Sequence, residues 1–325
     1  MQSEPLLSIV IANYNYGRFL QEAIQSIISQ DMENRIELII CDAASTDNSV
    51  EIIKKYANGL PPNTSYEEWL SSPNSQLTTH DSQLLTWWCS EKDGGQSAAF
   101  NKGFSHARGR FLTWLNADDV ILPGALKKLE SAVAKYPECE WFVGGCFWLD
   151  PEMKIFKCGR ARRMSRFRAR HGVVNVCGPS SFFSRELFQK VGGVDERFKY
   201  TMDTDLWLRF ALWVNVVFRP FTKYAWGLRL HPDAKMSGHK FTSNGQILEG
   251  AESRAAFNRN IARLNQLQLE GNWIKEKLHL VMQTRPSSMI QRVLSSDIFP
   301  AVMSRIDSCF FSGKFYLDVC KNFSF

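Results

Sequence analysis

The sequence has no long apolar run. No window approaches the roughly 18 uninterrupted apolar residues that indicate a transmembrane helix. The apolar stretch at residues 8–12 is short and has no basic lead-in, so it does not indicate a secretory signal. The chain also contains no internal repeat. We therefore expect a globular protein in the cytoplasm, and neither a membrane-spanning nor an exported one.

Closely spaced cysteine pairs are absent as well. The eight cysteines are scattered, and none forms a Cys-x-x-Cys pair, so neither a zinc site nor a redox motif is predicted. Several of them lie in apolar runs typical of strands, where a thiol behaves as a small buried hydrophobic group. Reduced thiols are typical of cytosolic proteins, which agrees with the predicted location.

The chain also lacks a strong charge imbalance. It carries 39 Lys and Arg against 33 Asp and Glu, a net charge of +6, and we predict no nucleic-acid partner. The excess is local, because six arginines lie between residues 160 and 170. By itself such a cluster favours an anionic partner, such as a phosphate group, a membrane surface or a nucleic acid. A solvated loop or helix face is the alternative interpretation.

Alternating strand and helix patterns dominate the first half of the chain. Residues 6–12 are almost continuously apolar, which is typical of a parallel strand buried on both faces. Residues 19–28 repeat apolar side chains at helical spacing. A second apolar run at 36–41 and a second short helical pattern follow. This β-α-β-α order predicts an α/β fold, with a mostly parallel, Rossmann-like sheet and flanking helices.

Other segments set the expected domain limits. Residues 58–83 are rich in Ser, Asn, Thr and Pro, which predicts an inserted surface loop. The pattern predicts a helix over residues 206–214 and closing strands over 216–221 and 224–229. From about residue 247 the pattern is helical again. We therefore expect an α/β domain over residues 1–240 and a helical C-terminal extension over 241–325.

The central stretch runs from Phe111 to Pro123. It starts as an apolar strand and stops abruptly at Asn116-Ala117-Asp118-Asp119. The carboxyl end of a buried strand is where an open α/β sheet binds ligands. Two adjacent carboxylates there suit a hard divalent cation, which in turn suits a phosphate-bearing substrate. The alternative is that Asp119 only caps the helix that follows Pro123.

Four pieces in this order resemble the inverting family-two glycosyltransferases, whose catalytic domain has the GT-A fold. The resemblance covers roughly residues 5 to 240. Its pieces are the opening strand with its nucleotide loop, an acidic segment, the Asp-x-Asp position and the motif that carries the catalytic base. In this chain they are Ser8-Ile-Val-Ile-Ala-Asn-Tyr-Asn15, Cys41-Asp-Ala-Ala-Ser-Thr-Asp-Asn-Ser49, Asn116-Ala-Asp118 and Asp203-Thr-Asp205-Leu-Trp-Leu-Arg209.

The chain departs from the family pattern in three places. The second Asp and the Gly of the acidic segment are Ala43 and Ala44. Asn116 replaces the first Asp of the Asp-x-Asp, and Met202 stands where Glu is common. Asn116 can still hydrogen-bond a ribose hydroxyl, but an amide is a poorer metal ligand than a carboxylate. Asp118, the usual metal ligand of the triplet, is intact.

The resemblance implies a role for each matching position. Asp203 is the expected catalytic base, and Asp118 with His231 is the expected site for Mn²⁺ or Mg²⁺. Acceptor contacts are expected from Pro179, Ser180 and Ser181. The positions expected to bind the nucleotide sugar are Ala12, Asn13, Tyr14, Asp42, Asp93, Gln96, Asn116, Ala117 and Asp118.

Structural alternatives exist for several of these residues. Asp42 is expected to accept a hydrogen bond from a ring N–H of the base, but it also suits a turn or helix cap. Asp93 with Gln96 fits simple turn chemistry, because Asp-Gly-Gly is a good turn sequence. Asp205 fits the cap of a helix that starts at Leu206. A lone His such as His231 is more often structural.

The resemblance implies a metal-dependent, inverting glycosyltransferase of the hexosyltransferase type, acting in polysaccharide or glycolipid assembly. A UDP-sugar is the favoured donor, and a glycan or lipid-linked molecule is the expected acceptor. A lipid-linked acceptor would require peripheral association at the inner face of the membrane, for which the arginine cluster and the aromatic tail after Asp297 are suited. The alternatives are a nucleotidyltransferase, disfavoured by the lack of a Gly- and Lys-rich loop after the first strand, and a non-catalytic nucleotide-sugar-binding module.

Overall fold

The computed structural model describes residues 4–32, 35–71, 84–161, 169, 176, 178–214, 216, 218–235 and 254–262. The chain divides after Leu264 into two units, and every described residue belongs to the first. No helix in these ranges is long and apolar enough to cross a membrane. Five of the six clustered arginines, the aromatic tail and the expected domain boundary at residue 240 lie outside the described residues.

Strands and helices alternate as expected in the first half. The strands are β1 (Leu7–Asn13), β2 (Ile36–Asp42), β3 (Leu85–Ser90), β4 (Phe111–Asn116), β5 (Val120–Ile121), β6 (Trp141–Leu149), β7 (Ile155–Gly159), β8 (Ser181–Ser184) and β9 (Arg219–Arg229). The helices are α1 (Gly17–Ile28), α2 (Ser49–Ala57), α3 (Tyr66–Leu70), α4 (Gln96–Ser105), α5 (Ala125–Lys135), α6 (Arg185–Lys190), α7 (Met202–Leu212) and α8 (residues 254–262).

One sheet contains all nine strands, in the order β3-β2-β1-β4-β8-β6-β9-β5, with β7 paired to β6. The first four strands are mutually parallel, which confirms the predicted α/β fold with flanking helices. The register pairs Asn13 with Asp42 and Ala12 with Asn116. The carboxyl ends of β1, β2 and β4 therefore meet at one edge, where the polar motifs of the sequence come together.

Both faces of the sheet are covered, as the continuous apolar strands require. Ile9 and Ile11 of β1 belong to a core on one face that includes α1 and α5. Val10 points to the opposite face, into a second core that includes α4 and α7. Alternate side chains of one strand thus join different cores, because successive residues of a strand point to opposite faces.

Aromatic side chains join α7 to the sheet. The Trp207 ring of α7 stacks on Trp114 of β4 with centroids 5.4 Å apart and an interplanar angle of 3°. The Trp141 ring of β6 also stacks on Trp207, with centroids 5.4 Å apart. These large rings are buried, so they fix the helix against the middle of the sheet. The first turn of α7 is thereby held at the edge where the strands end.

Three element boundaries differ from the expectations. Helix α3 lies inside the segment predicted as an inserted loop, and the Ser65 and Glu68 side chains form a capping box at its start. Helix α7 begins at Met202, four residues before the predicted start. β9 is one continuous strand where two were predicted, because register shifts opposite Gly144 absorb the irregularity between Thr222 and Trp226.

Candidate active site

A cleft of about 1050 Å³ opens at the carboxyl ends of the parallel strands. The loops after β1, β3, β4 and β9, together with the first turn of α7, form its walls. Most of the residues singled out in the sequence line this one cleft. They are Ala12, Asn13, Tyr14, Asp93, Gln96, Asn116, Ala117, Asp118, Pro179 and Asp203.

Asp42 lies beneath the cleft, and its side chain is buried. Its carboxylate accepts hydrogen bonds from Asn13 Nδ2 at 2.7 Å, from the Ser45 backbone N–H at 3.0 Å and from Ser90 Oγ at 2.6 Å. Protein donors therefore occupy both carboxylate oxygens. Asp42 positions Asn13 and the loop after β2, which is the turn interpretation of this residue.

Asn13 offers the acceptor that Asp42 does not. Its side chain is buried and lines the cleft. The amide nitrogen donates to Asp42, and the amide oxygen Oδ1 has no hydrogen-bond partner among the described residues. A buried acceptor without a partner is costly. A ligand with a ring N–H can satisfy this oxygen.

The loop after β2 contains a residue in an unusual conformation. Ala44 has φ +56°, in the left-handed region that favours glycine. This is the position at which the family sequence has Gly, and the left-handed backbone explains that preference. Alanine at this position carries a conformational energy cost that glycine would avoid. The Asn15 side chain holds the loop, because its Oδ1 accepts from the Thr46 N–H at 2.8 Å.

Turn chemistry explains Asp93. Its Oδ1 accepts from the Gly95 N–H at 2.8 Å, and Gly95 adopts φ +104° immediately before α4. Gly94, Gly95 and Gln96 all line the cleft, so the positive end of the α4 dipole lies at its wall. Lys102 lies farther along α4 and forms an ion pair with Glu91.

Asn116 is held between two neighbours. Its Oδ1 accepts from Gln96 Nε2 at 3.0 Å, and its Nδ2 donates to Asp119 Oδ2 at 2.7 Å. A carboxylate at this position would face the buried Asp119 carboxylate, which explains why an amide is tolerated here. Asp119 also accepts from the Arg229 N–H at 3.0 Å. It therefore ties β4 to β9, and the alternative interpretation that it caps the next helix does not hold, because Gly124 is the N-cap of α5.

Asp118 and His231 form the candidate metal position. The His231 Nε2 atom lies 3.2 Å from Asp118 Oδ2. The imidazole is buried against the Phe19 ring, with centroids 4.6 Å apart, and its Nδ1 has no partner among the described residues. Burial raises the pKa of Asp118, and the hydrogen bond to His231 opposes that effect.

The donor set fits a divalent cation that is shared with a substrate. No group of three or more His, Cys, Asp or Glu suited to a metal occurs in the described part of the chain. Mg²⁺ is commonly held by one or two protein ligands with substrate phosphates and water. The Asp118 Oδ2 and His231 Nε2 atoms lie 3.2 Å apart, so both would be able to bind one cation.

Asp203 lies in the first turn of α7 and faces the cleft. Burial raises the pKa of its carboxyl, while hydrogen bonds from the backbone and side chain of Thr204 and the charge of Lys235 lower it. The Thr204 N–H donates to Asp203 Oδ1 at 2.6 Å. The preceding Met202 is buried and accepts from Ser97 Oγ, so a packing residue replaces the Glu of the family motif.

Asp205 has a different environment from Asp203. Its side chain is fully buried and accepts from Arg209 Nε at 2.9 Å and from Asn260 Nδ2 at 3.0 Å. Arg259 forms a further ion pair with it. Thr201 is the N-cap of α7, so Asp205 is structural but does not cap this helix, contrary to the alternative interpretation. Trp207 and Arg209 have structural roles, since both are buried and Arg209 pairs with Asp205.

Two predicted acceptor contacts do not face the cleft. Ser180 Oγ donates to the Gly144 carbonyl at 2.9 Å, and Ser181 Oγ accepts from Trp141 Nε1 at 2.7 Å. Both residues are buried in the sheet. Only Pro179 of the three reaches the cleft wall.

Sequence reasoning missed several cleft residues, notably Tyr16, Trp148, Tyr200, Trp226 and Lys235. The Lys235 ammonium donates to Gln96 Oε1 at 3.0 Å, across the mouth of the cleft. Burial raises the pKa of Tyr16 to about 12. No local pattern marks these residues, because strands and loops distant in sequence bring them together.

Comparisons with known proteins identify the family of this chain. The family model described as glycosyl transferase family 2 matches residues 8–68 and 76–192, more than half of the chain. An uncharacterized glycosyltransferase of Mycobacterium tuberculosis is 30% identical over 218 residues, which cover 65% of this chain and 71% of that protein. An uncharacterized glycosyltransferase of Rickettsia prowazekii is 26% identical over 215 residues. The match covers 63% of this chain but only 58% of the Rickettsia protein.

Solved structures show the same fold. The S. aureus TarS 1–349 structure in complex with UDP-GlcNAc superposes with a TM-score of 0.53 at 16% identity, covering 83% of this chain and 75% of that chain. The same TarS fragment in complex with UDP gives a TM-score of 0.52 at 15% identity, covering 78% and 65% of the two chains. At this identity the likeness establishes the fold alone.

Proposed function

Because the chain belongs to glycosyl transferase family 2 and has the GT-A fold, we propose that it transfers a hexosyl group from a nucleotide sugar to an acceptor hydroxyl. The transfer inverts the anomeric centre, depends on Mn²⁺ or Mg²⁺ and serves polysaccharide or glycolipid assembly. One observation carries the proposal. The carboxyl groups of Asp118 and Asp203 line the same cleft, at the end of the sheet where the nucleotide loop lies.

The donor base fits the part of the cleft formed by Ala12, Asn13 and Tyr14. Tyr14 is 59% exposed at the cleft wall, so its ring is free to stack on a base. Asn13 Oδ1, buried and without a partner among the described residues, supplies a hydrogen-bond acceptor. The uracil ring carries an N–H donor at N3, whereas the N3 atom of cytosine is itself an acceptor. This difference disfavours a CDP-sugar and agrees with a UDP-sugar donor, although guanine and thymine also carry a ring N–H.

The diphosphate fits between the α4 N-terminus and the pair formed by Asp118 and His231. The dipole of α4 and the Lys235 ammonium both favour negative charge there. Asp118 and His231 would hold the divalent cation. When bound, the cation stabilises the negative charge of the leaving diphosphate as a Lewis acid.

Asp203 is the group that accepts the acceptor's proton. A single displacement requires a base beside the attacking hydroxyl, and Asp203 projects from α7 into the cleft. Burial raises the pKa of its carboxyl, which makes it a stronger base than an exposed Asp. The hydroxyl becomes more acidic as its bond to the sugar forms, so the carboxylate receives the proton late in the reaction.

A panel of nucleotide sugars tests the proposal. Purified protein is incubated with each donor, with and without Mn²⁺, and release of the nucleotide is measured. Asp203→Asn should reduce turnover by roughly 10²–10⁴-fold or more, with nucleotide affinity nearly unchanged. Asp118→Ala should remove metal-dependent nucleotide binding, which calorimetry measures independently of turnover. The anomeric configuration of the product, read by NMR, tests inversion.

The outcomes separate the competing functions. Binding of UDP without turnover of any donor would indicate a non-catalytic module. Formation of a nucleotide sugar from a sugar phosphate and a nucleoside triphosphate would indicate a nucleotidyltransferase. If Asp205→Asn reduced turnover of a folded protein more than Asp203→Asn, the assigned base would be wrong.

A further inference from the structure

An exposed apolar pair lies on β7. Ile155 is 57% exposed and Phe156 is 56% exposed. The other exposed large hydrophobic residues of the described part of the chain are Tyr14, at the cleft wall, and Ile28, isolated on α1. The adjacent pair on β7 has no role in the cleft chemistry. Residues 154–158 are all exposed, so both faces of this edge strand are open to solvent, and its successive side chains point to different faces. Large apolar side chains on an edge strand exposed on both faces indicate an interaction surface.

Positive charge surrounds this pair. Lys154 and Lys157 flank it directly, Arg160 follows, and all three side chains are exposed. Residues 154–160 contain no acidic side chain. Glu152, in the turn before β7, is the nearest exposed acidic residue. The exposed edge formed by residues 154–160, which we call the β7 surface, therefore carries two apolar side chains and three cations, distributed over both faces of the strand.

We propose that the β7 surface docks the protein on an anionic lipid membrane. Cations near a negatively charged bilayer are attracted to its headgroups. Aromatic and aliphatic side chains beside them gain free energy by entering the boundary between headgroups and acyl chains. Docking in this mode needs no spanning segment and is independent of the glycosyl transfer proposed above.

A second copy of the chain fits the same surface less well. β7 pairs with β6 along one edge, and no described strand pairs with the other edge. Antiparallel pairing of two β7 strands centred on Lys157 would set the two ammonium groups opposite each other. Like charges directly opposite in a strand pair are destabilising. Three cations on each copy make this a general difficulty for self-association.

The position of β7 relates docking to the cleft. Trp148 of β6 lines the cleft, and it pairs with Lys157 of β7 in the sheet. The Lys157 ammonium lies 4.7 Å from the centre of the Trp148 ring. A membrane bound at β7 therefore lies beside the wall of the cleft, within reach of an acceptor whose lipid portion stays in the bilayer.

Vesicle sedimentation of the full chain tests this proposal. Wild-type protein is mixed with vesicles of phosphatidylcholine alone or of phosphatidylcholine with phosphatidylglycerol, over a range of salt concentrations. Binding should require phosphatidylglycerol and weaken as salt rises. Lys154→Gln with Lys157→Gln should reduce the partition coefficient by about fivefold for each lysine. Ile155→Gln with Phe156→Gln should reduce it by about tenfold or more.

Matched variants elsewhere control for charge and apolar content. Lys54→Gln with Lys55→Gln removes two exposed lysines of α2, and Ile28→Gln removes an exposed apolar side chain of α1. Both controls should bind like the wild type. Circular dichroism and thermal unfolding establish that every variant is folded.

Three outcomes would overturn the proposal. One is equal binding to neutral vesicles, and another is no binding at low salt. The third is wild-type binding by both β7 variants, which would place any docking in another part of the chain. Size-exclusion chromatography with light scattering tests the alternative. A dimer that is lost in the Ile155→Gln, Phe156→Gln variant, without vesicle binding, would identify β7 as a self-association edge.

Discussion

At the scale of single residues, the departures from the family sequence have local physical causes. Asn116 donates to Asp119 at 2.7 Å, so the amide avoids a repulsion between carboxylates. Met202 packs beneath α4 and receives the Ser97 hydroxyl. Ala44 occupies a backbone conformation that suits glycine. Two of these replacements fit their surroundings, and the third bears a conformational cost.

Ala44→Gly should therefore stabilise the fold. A left-handed conformation costs an L-residue about 1–2 kcal/mol, and a glycine at this position avoids that cost. Part of the resulting gain in stability is lost, because glycine has a larger conformational entropy in the unfolded chain. We expect a net gain of about 1 kcal/mol, or about 2–4 °C in Tm, measured by thermal and urea unfolding. Ala43→Gly is the control, because Ala43 is not among the residues with positive φ. A loss of stability in Ala44→Gly would contradict the assigned strain.

The pH dependence of turnover should report Asp203. The carboxylate must be deprotonated to act as a base, and burial raises its pKa, so the acid limb of kcat should lie above the range of an exposed Asp. The positive charge of Lys235 lowers that pKa. Lys235→Met should consequently move the acid limb to higher pH.

Lys92→Met is the control for that measurement. Lys92 also lines the cleft, but its charge is not among the main influences on the pKa of Asp203. Both variants remove one cation from the cleft, so both are free to weaken nucleotide binding. Only Lys235→Met should shift the limb. An unchanged limb in Lys235→Met would argue against Asp203 as the base.

At the scale of elements, α7 carries two carboxylates with opposite roles. Asp203 faces the cleft, whereas Asp205 is buried and joins α7 to α8 through Arg259 and Asn260. Arg259 also pairs with Asp195, in the turn before α7. The segment at residues 254–262 thus contacts the helix that carries Asp203, the proposed base. It lies within the predicted C-terminal extension but packs on the α/β domain.

Substitution of the two carboxylates should have different effects on stability. Asp205→Ala leaves Arg209, which is 3% exposed, without its buried partner, and should cost about 3–5 kcal/mol. Asp203→Asn should be neutral or slightly stabilising near neutral pH. Its raised pKa means that the ionised carboxylate is held less favourably in the folded state than in the unfolded chain. Urea unfolding compares the two, and equal losses would contradict these separate roles.

At the scale of the whole molecule, the parallel half and the mixed half of the sheet contribute different residues to the site. The parallel strands β1 to β4 present the nucleotide loop and Asp118. The mixed half brings His231 after β9 and Trp148 from β6. The candidate metal position lies where these halves meet, since Asp118 follows β4 and His231 follows β9.

Ligand binding should therefore stabilise the molecule as a unit. UDP with Mn²⁺ at about 100 times its dissociation constant should add about 2.7 kcal/mol, or about 5–10 °C in Tm. Thermal scanning with and without metal measures the shift. Asp118→Ala should lose the metal-dependent part, and CDP should stabilise less than UDP, because Asn13 Oδ1 is a buried acceptor. A full metal-dependent shift in Asp118→Ala would refute the assigned ligand.

Periodicity and motif order determined much of this protein in advance. The apolar strand at residues 111–116 and the carboxylates after it lie within one short stretch, so the pattern sufficed to place Asp118 at the carboxyl end of a parallel strand. Asp203 was singled out by the resemblance of residues 203–209 to a family motif, which is likewise a short stretch, and it lies in the first turn of α7. Both depend on interactions between close neighbours in the chain, which local sequence encodes.

The tertiary structure alone decided which polar groups serve the cleft and which serve the core. Asp205 receives Asn260 from 55 residues away, so its structural role has no local signature. Asp42 is satisfied by neighbours on β1 and β3, whereas the buried Oδ1 atom of Asn13 has no partner among the described residues. Lys235 and Trp148 reach the cleft from strands and loops that only the folded sheet brings together. The physical reason is that burial and hydrogen bonding across a sheet depend on pairing between distant segments, which periodicity does not encode.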